Sequence, residues 1–271
     1  LGEIPTREIR PGLHWIQECG PERFDLANST PGLDGSWYRN RAPLHLPQNA
    51  YLLRAEKTLL FDTLSPAAGG WVVDVVDEVL DGAPLDYLVI SHPDVPHAGN
   101  TGRLLRAHPE AKLVAPRFGE THALYHLDGA LKVGPGDAID LGGLEARFHE
   151  ATFLDHSMHM WMSESTTGSL FTVDWLGFPH MAGECLHFTH ELDSAVSPAR
   201  LVEFHGRVMF WFQYADVERM VEAIDRVWDD FHPKVIASGH GLPIVDGVRS
   251  YFDHMKEVVR YVRENGRTGV V

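Results

Sequence analysis

The chain has 271 residues, 44% of them hydrophobic and 23% charged, a globular composition too rich in core formers for disorder. Its 38 acidic side chains against 23 basic ones leave a formal net charge of −15, a surface that repels phosphate backbones and anionic lipid and argues against nucleic-acid and membrane partners. No apolar run reaches the ~20 residues that span a bilayer, and no basic-then-apolar leader opens the chain, so a cytoplasmic location is expected. The two cysteines, Cys19 and Cys185, lie far apart and form no CxxC pair, which rules out a disulfide scaffold or a thiolate zinc site and makes a reducing compartment the expectation.

In chain order, Leu13–Ile16 reads as a short edge strand, and Cys19 to Pro47 gives little periodic signal. Asn49–Leu53 and Lys57–Phe61 read as two strands around a turn near Ala55-Glu56. Trp71 to Leu80 is apolar at 72, 73, 75, 76, 79 and 80, a helical period. A buried strand over Leu85–Ile90, a helix from about Asn100 to His108 and a strand over Lys112–Ala115 follow. Further strands are expected at Ala138–Leu141, Leu144–Phe148, Met158–Met162 and Leu170–Val173. Helices over Asp216–Asp230 and Val248–Asn265 flank a strand at Lys234–Ala237. Strands with interspersed helices and several hairpins argue for a layered α/β (α+β) fold, and no linker divides the chain, so one domain over 1–271 is expected.

The 17 histidines match what nitrogen- and oxygen-ligand metal chemistry requires, and position decides among them. His92 ends the Leu88–Ser91 run, His97 lies five residues on before a helix, His156 opens the Met-rich strand, and His240 follows Val235–Gly239. Loops at the carboxyl ends of strands are where α/β proteins gather reactive groups. His92, Asp94 and His97 are three potential ligands on a loop stiffened by Pro93 and Pro96. A hairpin turning between Ser163 and Ser169 pairs residues whose numbers sum to about 330, setting His156 opposite Asp174 with Cβ atoms ~5 Å apart. His159, at odd parity from His156, reads as a structural histidine. His180, Glu184, His187 and His190 read as a solvated loop, with His180 also a candidate beside the metals or the substrate. Trp161, Trp175, Phe178, Phe210, Trp211, Phe212 and Tyr214 read mostly as core.

This order of elements resembles the metallo-β-lactamase fold, a four-layer αββα sandwich, with Asp62, the His92-x-Asp94-x-x-His97 cluster, His156, Asp174 and His240 as its motifs. Within that superfamily the chain is most similar to the flavodiiron and related diiron oxygen-binding proteins, which carry a carboxylate where Asp94 stands. The resemblance implies two metal ions, iron favoured with zinc or manganese as alternatives. His92, Asp94 and His156 would hold the first, His97 and His240 the second, and Asp174 would bridge. Asp174, His97 and His240 would lie at the reacting centre, with Asp62 orienting the His92 loop through hydrogen bonds. Pro96 stands where the family carries a second-metal aspartate, which leaves that metal open. The family's C-terminal flavodoxin domain is not found in the sequence.

Two histidines and a carboxylate with open positions suit non-haem iron that binds dioxygen. The favoured reading is a diiron oxidoreductase or oxygenase acting on dioxygen or a small molecule, supplied by a separate reductase and self-associating as a dimer. A zinc hydrolase cleaving lactones, thioesters or phosphodiesters is the alternative. A non-catalytic oxygen or nitric-oxide binder is the third class.

Overall fold

The computed structural model describes residues 6–19, 21–22, 30–38, 44–117 and 129–269. In chain order the strands β1 (Thr6–Arg10), β2 (Leu13–Glu18), β3 (Pro21–Glu22), β4 (Leu44–His45), β5 (Gln48–Arg54) and β6 (Thr58–Phe61) precede helix α1 (Trp71–Leu80). Strand β7 (Tyr87–Val89) leads to the short helices α2 (Val95–Ala98) and α3 (Thr101–Ala107). Next come β8 (Lys112–Pro116), β9 (Leu131–Val133), β10 (Ala138–Asp140), β11 (Glu145–Glu150), β12 (Met160–Glu164), β13 (Ser169–Val173) and β14 (His180–Met181). The described chain closes with α4 (Pro198–Val208), α5 (Val217–Phe231), β15 (Val235–Ser238) and α6 (Val248–Asn265). These residues group into two compact units, one from 1–18, 48–151 and 156–173, the other from 19–47, 152–155 and 174–271.

In the first unit a seven-stranded sheet runs in the order β1-β2-β5-β6-β7-β8-β9, antiparallel up to β6 and parallel beyond it. β2 lies between β1 and β5, so the edge strand expected at Leu13–Ile16 is an interior one, and β1 takes the edge. Side chains alternate across the sheet with a period of two. Leu52, Leu60 and Leu88 stand in register and pack with Val72, Val75, Val76 and Val79 of α1 and Leu104 of α3. On the opposite parity Tyr51, Phe61 and Val89 are in register, and the rings of Tyr51 and Phe61 meet Phe171 of β13 at 5.5 and 5.2 Å. Phe171 belongs to a second sheet in which β10, β11, β12 and β13 follow one another antiparallel. Helices, sheet and sheet therefore form three successive layers within this unit.

The β12–β13 hairpin corrects one expectation. Met162 faces Phe171, Ser163 faces Leu170 and Glu164 faces Ser169, so facing residues sum to 333 and not 330. An odd shift exchanges the faces of a strand. His156 lies on the turn before β12, where the His159 N–H donates to the His156 carbonyl at 3.1 Å. Strand parity between His156 and His159 therefore does not apply.

The second unit holds a three-stranded sheet, β14-β4-β3, with α4, α5, α6 and β15. α5 and α6 are amphipathic, burying Met220, Ile224 and Val227 in one and Phe252, Met255, Val259 and Val262 in the other. α4 has no such stripe: every residue from Ala199 to Gly206 is buried, including Arg200, Glu203 and His205. Trp175 stacks on Phe153 at 5.0 Å and meets Phe252 edge-on at 5.2 Å. Trp161, Trp175, Phe178 and Phe212 are core as expected, whereas Phe210 and Tyr214 are exposed. No helix among the described residues is long and apolar enough to cross a membrane.

Candidate metal centre

The loop from Ser91 to Asn100 leaves β7 and is held by the segment after β6. Asn100 donates its side-chain amide to the carbonyls of Thr63 and Ser65 at 2.9 and 2.6 Å. The Thr63 N–H and hydroxyl both donate to the His97 carbonyl at 2.8 Å. Gly99 is required by close approach, since a Cβ there would lie 2.5 Å from Pro66 Cδ and 2.8 Å from the Leu64 carbonyl oxygen. Asp94 caps α2, and its carbonyl accepts from His97 N and Ala98 N at 2.9 Å each. Pro96 sits in the first turn of α2, where a missing N–H costs no helical hydrogen bond.

This loop brings His92 and His97 together. Both are buried, and their rings lie 4.1 Å apart. Asp94 is half exposed, its Oδ2 3.8 Å from His92 Nε2. His159, assigned only a structural role from the sequence, packs edge-on against His92 with centroids 4.0 Å apart, while His156 lies at 6.1 Å. The backbone N–H of Met158 donates to His156 Nδ1 at 3.1 Å.

Asp62 is buried and accepts three hydrogen bonds: from Ser91 N at 2.8 Å, from Ser91 Oγ at 2.9 Å and from His97 Nδ1 at 2.7 Å. These bonds tie Asp62 to Ser91 at the start of the loop and to His97 directly. With its proton on Nδ1, His97 presents the Nε2 lone pair, the arrangement by which carboxylates tune metal-binding imidazoles.

In the second unit Asp174 follows β13 and His240 follows β15, both buried. His240 Nδ1–H donates to the Pro47 carbonyl at 2.9 Å, and Nε2 lies 3.1 Å from Asp174 Oδ1. A carbonyl only accepts, so the proton is on Nδ1 and Nε2 turns its lone pair toward the carboxylate. Two acceptors at that separation repel unless a proton or a cation lies between them. The donor set fits a metal ion. The backbone around it is fixed by Phe178 N–H donating to the His240 carbonyl at 2.9 Å.

His180 does not join either group. It is buried, with Nε2 at 3.1 Å from Cys19 Sγ and 3.5 Å from Cys185 Sγ. Cys19, His45, His180 and Cys185 each offer one ligand atom, all within 4.8 Å of one another. Sequence distance therefore did not exclude a thiolate site, since folding brings the two cysteines together. Glu184 is also no solvated group: it pairs with the buried Arg200 at 2.5 Å.

A family model described as the metallo-beta-lactamase superfamily matches residues 44–179, just over half of the chain, and the chain belongs to that superfamily. Its likeness within the superfamily runs to the flavodiiron proteins, as the sequence motifs implied. It is 32% identical to the rubredoxin-oxygen oxidoreductase of Megalodesulfovibrio gigas over 129 residues, 45% of this chain and 32% of that protein. With the anaerobic nitric oxide reductase flavorubredoxin of Vibrio vulnificus it shares 25% identity over 242 residues, 88% of this chain and 46% of that protein. The chain thus spans less than half the length of these relatives. Among solved structures, rubredoxin oxygen:oxidoreductase from Desulfovibrio gigas superposes with a TM-score of 0.70 at 22% identity, covering 96% of this chain and 61% of that one. The flavodiiron protein from Giardia intestinalis gives 0.72 at 16% identity, covering 97% and 60%. The metallo-β-lactamase fold is thereby shown.

Proposed function

We propose that the chain is a metal-dependent oxidoreductase of the flavodiiron type, reducing or binding a diatomic oxidant, dioxygen or nitric oxide, at a pair of non-haem iron ions. The resemblance in sequence assigns His92, Asp94, His97, Asp174 and His240 to one pair of ions within a single domain over 1–271. His159, packed on His92, takes the place assigned from the sequence to His156. The observation that carries the reading is the tautomer control at His97 and His240, each with Nδ1–H committed to a fixed acceptor and Nε2 left as donor to a metal. The names of the relatives support the oxidants.

Reduced iron at such a site supplies electrons and open coordination positions, which zinc, lacking redox chemistry, does not. The chain's own groups position and exclude. Asp62 and Pro47 hold the imidazoles, and Asp174 and Asp94 supply carboxylate charge. Phe204, 5.4 Å from the His240 ring, is an apolar neighbour that keeps water from that face. A separate reductase delivers the electrons, and the protein works as a dimer.

Protein purified without added metal should hold about two iron ions per chain in the proposed centre, and the ferrous form should consume dioxygen or nitric oxide with a visible absorption change. Asp174→Ala should lose both ions and His97→Ala mainly one. Full iron retention in Asp174→Ala, or a ferrous protein inert to both gases, overturns the reading.

A further inference from the structure

Cys19, His45, His180 and Cys185 come from three places in the chain and are gathered by the small sheet β14-β4-β3. His45 on β4 stands opposite His180 on β14 and opposite Pro21 on β3, which sets Cys19, two residues before Pro21, beside both histidines. Cys185 follows β14 on a turn closed by Glu184 N donating to the Met181 carbonyl at 3.0 Å. That turn is anchored from below. Arg200, fully buried, donates to the Pro179 carbonyl at 2.8 Å and to Glu184 at 2.5 Å, and Glu184 in turn accepts from Met181 N at 2.7 Å.

The four ligand atoms form a closed alternating ring. Cys19 Sγ is 2.9 Å from His45 Nδ1 and 3.1 Å from His180 Nε2, and Cys185 Sγ is 3.2 and 3.5 Å from the same two nitrogens. Each nitrogen faces two sulfurs, although an imidazole nitrogen directs only one lone pair or one N–H in its plane. A hydrogen-bond arrangement therefore leaves some of these close approaches without a proton. A single cation at the centre satisfies all four at once. Zinc binds sulfur at about 2.3 Å and nitrogen at about 2.0–2.1 Å, and tetrahedral angles then give S···N edges of about 3.5 Å. The observed edges run from 2.9 to 3.5 Å, so the four atoms are gathered at or inside the spacing of a tetrahedral site.

We propose that Cys19, His45, His180 and Cys185 bind one zinc ion in a closed tetrahedral site. The site is separate from the iron centre and does not depend on it. Two thiolates neutralise the divalent charge, so the half-buried site carries no net charge, and soft sulfur donors with imidazole select zinc over a hard oxygen-seeking ion. Four protein ligands leave no open position, so the role is structural. The ion staples the segment entering β3 to β4 and to the turn after β14.

The test uses the full chain as purified. Titration with an organomercurial thiol reagent, with a chromogenic zinc chelator present, should release one zinc per chain in proportion to the blocking of Cys19 and Cys185. Replacement by cobalt should give a thiolate-to-cobalt charge-transfer band, which a histidine–carboxylate centre does not produce. The double variant Cys19→Ser, Cys185→Ser should lack that zinc while keeping its iron. Thiols that react without zinc release, or a Cys19–Cys185 disulfide in the isolated protein, overturn the proposal. Because the titration is done on the unaltered chain, it decides the matter even where the double variant fails to fold. Loss of iron in Asp174→Ala leaves this zinc untouched, so the two sites fail or stand separately.

Discussion

Asp62 adopts φ 65°, a left-handed conformation that aspartate and asparagine tolerate better than other side-chain-bearing residues. The turn aims its carboxylate at Ser91 and His97 together. Asp62→Asn keeps the backbone and the acceptor oxygen for Ser91 but sets an amide N–H against His97 Nδ1. The imidazole then moves its proton to Nε2 and loses its ligand lone pair. Iron affinity of the second ion should fall on the order of 10–100-fold, with the unfolding midpoint little changed. Equal affinity in Asp62→Asn, measured by chelator competition, would show that Asp62 only supports the loop. The neighbouring pair His156 and His159 separates in the same way. His156 accepts a backbone N–H at Nδ1, which favours the Nε2–H tautomer, whereas His159 packs on His92. His159→Ala should therefore lose more iron than His156→Ala, and the reverse order restores the assignment made from the sequence.

At the scale of elements, the stretch from Asp174 to Phe178 and the loop after β15 are packed backbone to backbone. A Cβ at Gly177 would lie 2.6 Å from the His240 carbonyl oxygen and 2.8 Å from the Phe204 ring, so no side chain fits. Gly177→Ala should force the two segments apart, costing about 1–3 kcal/mol as overpacking does, and should loosen the Asp174–His240 approach. A urea midpoint equal to that of the unaltered protein would show that the contact is soft. The elements were unevenly legible. α1 and α6 were read to the residue because each buries one stripe, and the β5–β6 hairpin to within one residue at each end because its strands flank a polar turn. α4 was missed. Its polar residues Arg200, Glu203 and His205 are buried with the apolar ones, so the helix has no polar face to set a period.

At the scale of the whole molecule, the buried polar groups tie stability to pH. His205, fully buried in α4, donates from Nδ1 to the Leu201 carbonyl at 2.8 Å and accepts the Leu176 N–H at Nε2 at 3.0 Å. Burial pushes its pKa down to about 4, and burial with the nearby Arg147 does the same to His149, also to about 4. In both cases the unfolded chain binds the proton first, so stability is full above the unfolded value near 6.5 and declines as the pH falls from there toward 4. For His205 the loss across that window is on the order of 3 kcal/mol. Unfolding midpoints at pH 7.5 and pH 5 should differ more in the unaltered protein than in His205→Gln, and equal differences would remove His205 from the account.

By itself the sequence determined the superfamily and the longer amphipathic or apolar elements, because hydrophobic periodicity and the histidines near strand ends are local properties that each short segment carries whole. Of the candidate ligands, His92, Asp174 and His240 lie just past the ends of β7, β13 and β15, and His97 lies in α2. Only the tertiary structure decided the rest. The hairpin register depends on the geometry of one turn, whose facing residues sum to 333, and β12 begins only at Met160, so both His156 and His159 lie on the turn before it, with His159 against His92. The Cys19, His45, His180 and Cys185 group draws on segments up to 166 residues apart. No spacing rule reaches across such a distance, because strand pairing in space, not separation along the chain, sets which side chains share an ion.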